Sequence, residues 1–216
     1  MIKKIGNWKL KIKNYNSGMT YVELIVVLSI FATMTSVVLF NYGGFQSKVD
    51  IKNLGSDIAL KIVEAQKSST SGLLPIQTPT VSPWKPAYGV YFNNTDVDNT
   101  SFIYFTDLNN DNFDNDLSCS LPPNIASGEC LDQIKITKNN HISRIDSYLG
   151  SVATQIKNPL FVTFKRPNSA AVFYYLDSEG ALLPLPGFDY VQISIISSQS
   201  DASNIKIYPS GRIQVN

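Results

Sequence analysis

The fold of this 216-residue chain is decided by residues 17–40, which read SGMTYVELIVVLSIFATMTSVVLF. From residue 24 to residue 40 there is no charged residue, proline or glycine. Counted from Met19, the run has 22 residues. At roughly 1.5 Å per residue it forms about 33 Å of α-helix, and a bilayer hydrocarbon core is about 30 Å thick. The sequence therefore predicts that residues 19–40 form a transmembrane helix.

The charges on either side of this helix predict its orientation. Five lysines precede it and no basic residue follows until Lys48. Because basic flanks stay in the cytoplasm, we expect a single-pass protein of the cytoplasmic (inner) membrane with everything after Phe40 outside. Residues 19–216 hold 13 basic and 17 acidic side chains, a net charge of about −4. That balance does not favour nucleic acid or an anionic membrane surface as a partner.

Glu23 interrupts the apolar run and has three possible explanations. A cleaved signal peptide would need an apolar core of about 7–15 residues and a small-x-small site after it, and residues 41–45 offer none. A plain membrane anchor explains the length of the run but not a carboxylate inside it, which is costly in a bilayer. The third explanation places a cleavage before the apolar run, between Gly18 and Met19.

Residues 18–23, GMTYVE, followed by the unbroken apolar run, resemble the processing motif of type IV prepilins and type II secretion pseudopilins. The resemblance implies that a cytoplasm-facing prepilin peptidase cuts after Gly18, which makes residues 1–18 a basic leader. The same enzyme would methylate the new amine of Met19, a position where most members of the family have Phe. Glu23 would then support assembly with other pilin or pseudopilin subunits on an inner-membrane assembly platform.

Two chemical roles for Glu23 are compatible with this motif. A new α-amine on Met19 is a cation one helical turn from the carboxylate, and the two groups would relieve each other's cost of burial, within one subunit or between two. Thr20 and Glu23 also have the spacing of a capping box, which stabilises a helix start by about 1 kcal/mol.

The helix is predicted to continue as an amphipathic segment over residues 41–67. Gly43 and Gly44 mark a weak point where such a helix can bend or melt. The polar sequence SSTSG at residues 68–72 ends it, and residues up to 86 form a loop with four prolines. The apolar positions that predict the packed face of this segment are Phe45, Val49, Leu54, Ile58, Ile62 and Ala65.

Residues 68–216 are predicted to form an extracytoplasmic, β-rich head domain. Short strand-like runs alternate with turn residues, and hairpin turns are expected at residues 177–180 and 209–211. We expect an α+β, pilin-like fold in which the long N-terminal helix packs on a mainly antiparallel β-sheet. The predicted strands are residues 88–92, 101–107, 132–138, 160–165, 171–177, 190–197, 204–208 and 212–215.

The closing sequence IKIYPSGRIQV resembles the H-type pseudopilins and related minor pilins, which often end in a strand, a Gly-Arg turn and a final strand. The resemblance implies a structural subunit of a pilus or secretion filament rather than an enzyme. Arg212 either caps the turn, pairs with an acid, or binds DNA, as arginines of some related minor pilins do. Lys165, Arg166 and Lys206 could add to a basic patch, so a pilus-associated DNA-uptake receptor is one alternative, and an unprocessed membrane-anchored domain is another.

An acidic stretch after residue 106 raises the question of a metal. Oxygen ligands at Asp107, Asn109 and Asp111, with Asp114 further on, begin like an EF-hand calcium loop. The sixth and twelfth positions of the loop lack the expected glycine and glutamate. Weak calcium binding and a plain exposed turn both fit this sequence, and no other cofactor is predicted.

The remaining reactive residues are few. Cys119 and Cys130 either form a disulfide, if the head domain is exported, or stay free thiols. His141, in a sequence that predicts a turn, has no second histidine with which to build a metal site or a triad. No catalytic motif accompanies it, so no enzyme activity is expected.

Overall fold

The computed structural model describes residues 18–74, 87–95, 99–109, 111, 119, 128–177 and 179–216. Most of the predicted leader, the predicted proline-rich loop from residue 75 to 86, and Asp114 lie outside these residues. The chain divides into two compact units, Met1–Gly43 and Gly44–Asn216. A single helix, α1 (Tyr21–Ser71), contributes to both units and runs through Gly43 and Gly44 without interruption.

In the first unit, α1 is apolar and solvent-exposed. Its most apolar 18-residue window has a mean hydropathy of 2.3 and none of it is buried. The hydroxyls of Ser29 and Thr33 donate to the carbonyl oxygens of Val26 and Ile30 at 2.8 and 2.9 Å. Internal hydrogen bonds of this kind satisfy polar groups where water is absent. By length and composition this part of the helix can cross a membrane.

The second unit contains two β-sheets in which every described strand pair is antiparallel. The larger sheet has the order β3-β2-β1-β6-β7-β8 and the smaller has the order β11-β10-β9-β4-β5. The predicted α+β class is therefore confirmed, although the strands form two sheets. The strands are β1 (Ala87–Phe92), β2 (Ser101–Asp107), β3 (Cys130–Lys135), β4 (His141–Leu149), β5 (Val152–Gln155), β6 (Leu160–Phe164), β7 (Ala171–Leu176), β8 (Leu182–Pro184), β9 (Tyr190–Ile196), β10 (Ala202–Ile207) and β11 (Ile213–Val215).

Three of these strands, β4, β5 and β8, were not predicted. In β4 the register shifts between Ile142 and Arg144, and this irregularity breaks the alternation that predicts a strand. The turn predicted for residues 138–141 is present, and His141 follows it as the first residue of β4. Within this turn Lys138 and Asn139 have φ angles of 62° and 57°, and the Asn140 amide donates to the Thr137 carbonyl at 3.3 Å.

Both predicted hairpin turns are present. The Asp177 amide donates to the Ala181 carbonyl at 2.9 Å between β7 and β8. The Gly211 amide donates to the Tyr208 carbonyl at 2.8 Å between β10 and β11.

The second half of α1 packs on both sheets around one core. Its buried positions follow a helical stripe in which steps of four and three residues alternate, the spacing of one helix face. The prediction that Phe45 belongs to this stripe was wrong, because its side chain is 65% exposed. The buried helix residues are Ile51, Gly55, Ile58, Ile62, Ala65, Ser68 and Ser69.

Two serines hold the end of α1 on the larger sheet. The Ser69 hydroxyl donates to the Phe164 carbonyl at 2.7 Å, and the Tyr104 hydroxyl donates to Ser68 Oγ at 3.1 Å. These bonds keep the last turn helical, so α1 ends at Ser71, four residues beyond the predicted end at Lys67.

Candidate functional site

The helix α1 begins directly after the predicted cleavage junction. The Glu23 amide donates to Thr20 Oγ1 at 3.3 Å, and the Leu24 amide donates to the Thr20 carbonyl at 3.1 Å. Thr20 is therefore the N-cap of α1, and Glu23 occupies the third helical position. A carboxylate in the first turn also interacts favourably with the positive end of the helix dipole.

The junction itself is open. Gly18, Met19, Thr20 and Glu23 are all exposed. A Cβ added to Gly18 would meet no atom within 4 Å, so no contact in the described structure requires a glycine at this position. The peptide bond between Gly18 and Met19 thus lies in accessible backbone just outside the helix.

Three carboxylates converge at the end of β2. One oxygen each from Asp107, Asp111 and Glu129 lie within 4.8 Å of one another. Asp107 and Glu129 are each only 2% exposed. Glu129 was not predicted, because 17 residues separate it from Asp111 in the chain. Its proximity to Cys130 is the only sequence signal that places it near the acidic stretch.

Backbone hydrogen bonds orient these carboxylates. The Leu108 amide donates to Glu129 Oε1 at 2.8 Å, and the Asp111 amide donates to Asp107 Oδ1 at 3.2 Å. Lys165 Nζ lies 3.9 Å from Asp107 Oδ2 and offsets part of the negative charge.

Asn109, predicted as a ligand, donates through its amide nitrogen to Asp111 Oδ2 at 2.6 Å. An all-oxygen donor set fits a hard cation such as calcium, and calcium binding here stays a prediction.

The disulfide between Cys119 and Cys130 is present. It ties Cys119 to the first residue of β3, beside Glu129. Cys130 belongs to a second buried cluster on the face of the larger sheet opposite α1, together with Tyr91, Ile103, Phe105 and Phe161. The disulfide therefore fixes Cys119 to the edge strand of the larger sheet.

The residues proposed for a basic patch each have a different neighbour. The Arg212 guanidinium stacks over the Tyr208 ring at 3.8 Å, and Lys206 Nζ lies 5.0 Å from the centre of the Tyr190 ring. Arg166 lies against Gly72, which has a φ angle of +67°. Arg212 thus packs on a tyrosine of its own turn, and none of the described acids forms an ion pair with it.

These observations stand without support from relatives. No family model, no curated protein and no solved structure matches the chain.

Proposed function

We propose that this chain is a structural subunit, a minor pilin or pseudopilin, of a type IV pilus or a type II secretion-like filament. Prepilin peptidase would cut it after Gly18 and methylate Met19, and the subunit would assemble through its N-terminal helix. The observation that carries the proposal is the position of the GMTYVE sequence at the very start of an exposed apolar helix.

The geometry of the helix start supports an ion pair between Glu23 and the amine that cleavage would create. Cleavage after Gly18 would leave an α-amine on Met19, the residue directly before the N-cap Thr20. A positive amine beside the positive end of a helix dipole is unfavourable. A carboxylate in the same turn offsets the charge of the amine and the positive end of the dipole. Glu23 is in that turn. In a poorly solvated bundle of subunit helices, the Met19 amine and the Glu23 carboxylate would be tolerated only as an ion pair. This pairing would explain why a carboxylate is present in the apolar helix.

The exposed apolar length of α1 supports assembly through the helix. Every described side chain from residue 21 to residue 40 is exposed, including Phe31 at 68% and Phe40 at 85%. Such a surface needs a bilayer before assembly, and in a filament it needs the helices of neighbouring subunits.

The disulfide supports an extracytoplasmic head domain. Disulfides persist in oxidising compartments and are rare in the cytoplasm. Together with the lysine-rich N-terminus, it favours a cytoplasmic N-terminus and a head domain on the other side of the inner membrane.

The intact mass of the protein from its native membrane tests the proposal. A species that begins at Met19 with one added methyl group is expected, whereas a species that retains Met1 would overturn it and favour an unprocessed membrane anchor. Gly18→Val is a suitable control, because a Cβ added at this exposed position meets no atom within 4 Å. That variant is expected to stay uncut and folded.

The role of Glu23 is tested by a matched pair of variants. Glu23→Ala should still be cut but should not enter filaments, because the partner of the amine is gone. Thr20→Ala weakens the helix cap by about 1 kcal/mol but keeps the carboxylate, so it should still assemble. Incorporation of Glu23→Ala at the wild-type level would remove the role given to Glu23.

The alternative of a DNA-uptake receptor predicts salt-dependent DNA binding by the full chain in detergent, lost in Arg212→Ala. We expect no binding at low salt, because the chain after the leader is acidic overall and Arg212 packs on Tyr208.

A further inference from the structure

A groove lies between helix α1 and strand β3, in the second unit, with a volume of about 510 Å³. Its apolar lining includes Leu54 and Leu60 from the helix and Phe102 and Ile134 from the sheet. Leu60 is 65% exposed although it lies beside the core. We call this feature the α1–β3 groove.

Two ion pairs bridge the ends of the α1–β3 groove. Lys138 Nζ lies 2.8 Å from Asp50 Oδ2 at one end, and Lys61 Nζ lies 3.6 Å from Asp132 Oδ2 at the other. The helix and the strand therefore run in opposite directions along the groove. The eleven residue steps from Asp50 to Lys61 span about 16 Å of helix, which is the length of about five residues of extended chain.

One wall of the groove is the open edge of the larger sheet. Among the described strands, β3 pairs only with β2. The Ile136 amide donates to the Thr100 carbonyl at 2.7 Å. This bond shows which residue pairs of β2 and β3 are hydrogen-bonded to each other and which are not. In an antiparallel pair every second residue points its N–H and C=O groups away from the neighbour. For β3 these residues are Gln133 and Lys135, so their backbone groups face the open side.

The side chains that line the groove fit an extended occupant with one apolar face. Ile134 is opposite Phe102 in the β2–β3 register, so it faces the helix, as Leu54 and Leu60 face the strand. Asp57 lines the helix wall and is exposed, and none of the described residues forms an ion pair with it. Among the described residues, the groove therefore offers outward-facing backbone groups and an apolar floor. Its lining also carries Asp50, Asp57, Lys61, Lys135 and Lys138, and Asp57 is the acid of this lining that no described residue pairs with.

We propose that the α1–β3 groove binds an extended segment of a partner protein, which adds as a strand to the edge of β3. The backbone of that segment would pair with Gln133 and Lys135, alternate apolar side chains would contact Leu54 and Leu60, and a basic side chain would face Asp57. A helix or a lipid chain would leave the backbone groups of the β3 edge unpaired, and an extended strand satisfies them. The proposal does not depend on filament assembly.

The test uses the full chain in detergent micelles and a fluorescein-labelled peptide of eight residues. The peptide alternates valine with threonine and carries one lysine in place of a threonine. A second peptide of the same sequence has N-methyl groups on alternate backbone amides, which blocks strand pairing without changing the side chains. Fluorescence anisotropy is expected to show binding of the first peptide and a loss of about tenfold or more in affinity for the second.

Two variants locate the site. Leu60→Glu places a charge on the groove floor and should weaken binding, whereas Val63→Glu, a matched change at an exposed helix residue outside the groove lining, should not. Lys135→Pro removes one outward-facing amide at a sheet edge, where proline is tolerated, and should also weaken binding. Near-ultraviolet circular dichroism of each variant verifies that the fold is intact.

Three results would overturn the proposal. The first is that the unmethylated peptide does not bind at any concentration up to its solubility limit. The second is equal binding of both peptides, since the contact would then not be strand pairing. The third is concentration-dependent self-association of the wild-type chain in micelles that Leu60→Glu abolishes, since the occupant would then be a second copy of this chain.

Discussion

Gly89 lies in the middle of β1, where the larger sheet has no room for a side chain. It is directly opposite Phe105 in the β1–β2 register. A Cβ on Gly89 would lie 2.7 Å from Cε1 of the Phe105 ring, nearer still to its Cζ, and 2.8 Å from the Val162 carbonyl oxygen. Phe105 and Val162 are fully buried, and the carbonyl belongs to the backbone of β6. Neither group can move away cheaply.

The substitution Gly89→Ala should therefore destabilise the head domain. Overpacking of a core costs about 1–3 kcal/mol, and the lower backbone entropy of unfolded alanine returns about 0.5–1 kcal/mol. Because the closest contacts include backbone as well as ring, we expect a net loss of about 2 kcal/mol in the free energy of unfolding. For a domain of this size that corresponds to a fall of about 4–8 °C in Tm.

The measurement is thermal unfolding of the full chain in detergent, followed by the near-ultraviolet circular dichroism of its tyrosines. Far-ultraviolet signals would be dominated by the apolar helix. Gly187→Ala is the matched control, because a Cβ there meets nothing within 4 Å, and it should change stability by less than about 0.5 kcal/mol. If Gly89→Ala unfolds at or above the temperature of Gly187→Ala, the steric reasoning is refuted.

Three further predictions concern the same domain. Removal of the disulfide by Cys130→Ser should lower the free energy of unfolding by about 3 kcal/mol, given its sequence separation of 11, and urea unfolding that matches the wild type would contradict this. Burial raises the pKa of Tyr88 to about 12, so the folded state holds the phenol proton more tightly than the unfolded state does. The contribution of Tyr88 to the free energy of unfolding should be full below pH 10 and should fall by up to about 1.4 kcal/mol per pH unit between pH 10 and 12. A Tm that does not fall over this pH range would refute the prediction. If the predicted calcium loop binds the ion, millimolar calcium should raise Tm in the wild type but not in Glu129→Gln, and equal Tm values with calcium and with a chelator would remove the prediction.

The helix stripe illustrates how far periodicity predicts this fold. Ile58, Ile62 and Ala65 were assigned correctly to the packed face of α1, because apolar residues at helical spacing bury themselves. Gly55 was missed, although a Cβ there would lie 2.6 Å from Ser203 Oγ. A hydropathy pattern does not identify a glycine that is needed because there is no room for a side chain.

The acidic stretch illustrates the limit for a site. Asp107 and Asp111 were identified from their spacing along the chain, which local sequence displays. Glu129 joins them only because the amide of Thr106 donates to its carbonyl at 2.9 Å, alongside the end of β2. Such a contact arises from strand pairing between segments distant in sequence, and no local pattern encodes it.

The sequence by itself determined the apolar helix, its GMTYVE start and the α+β class, because these depend on local periodicity, charge and length. Only the tertiary structure decided that the strands form two sheets packed on the second half of α1, that Arg212 stacks on Tyr208, and that the edge of β3 faces a groove. Each of these features depends on which segments distant in sequence pack together. Many alternative pairings of such segments would bury similar apolar area, so the sequence pattern does not distinguish them. A one-dimensional pattern therefore limits the set of folds, and packing selects among them.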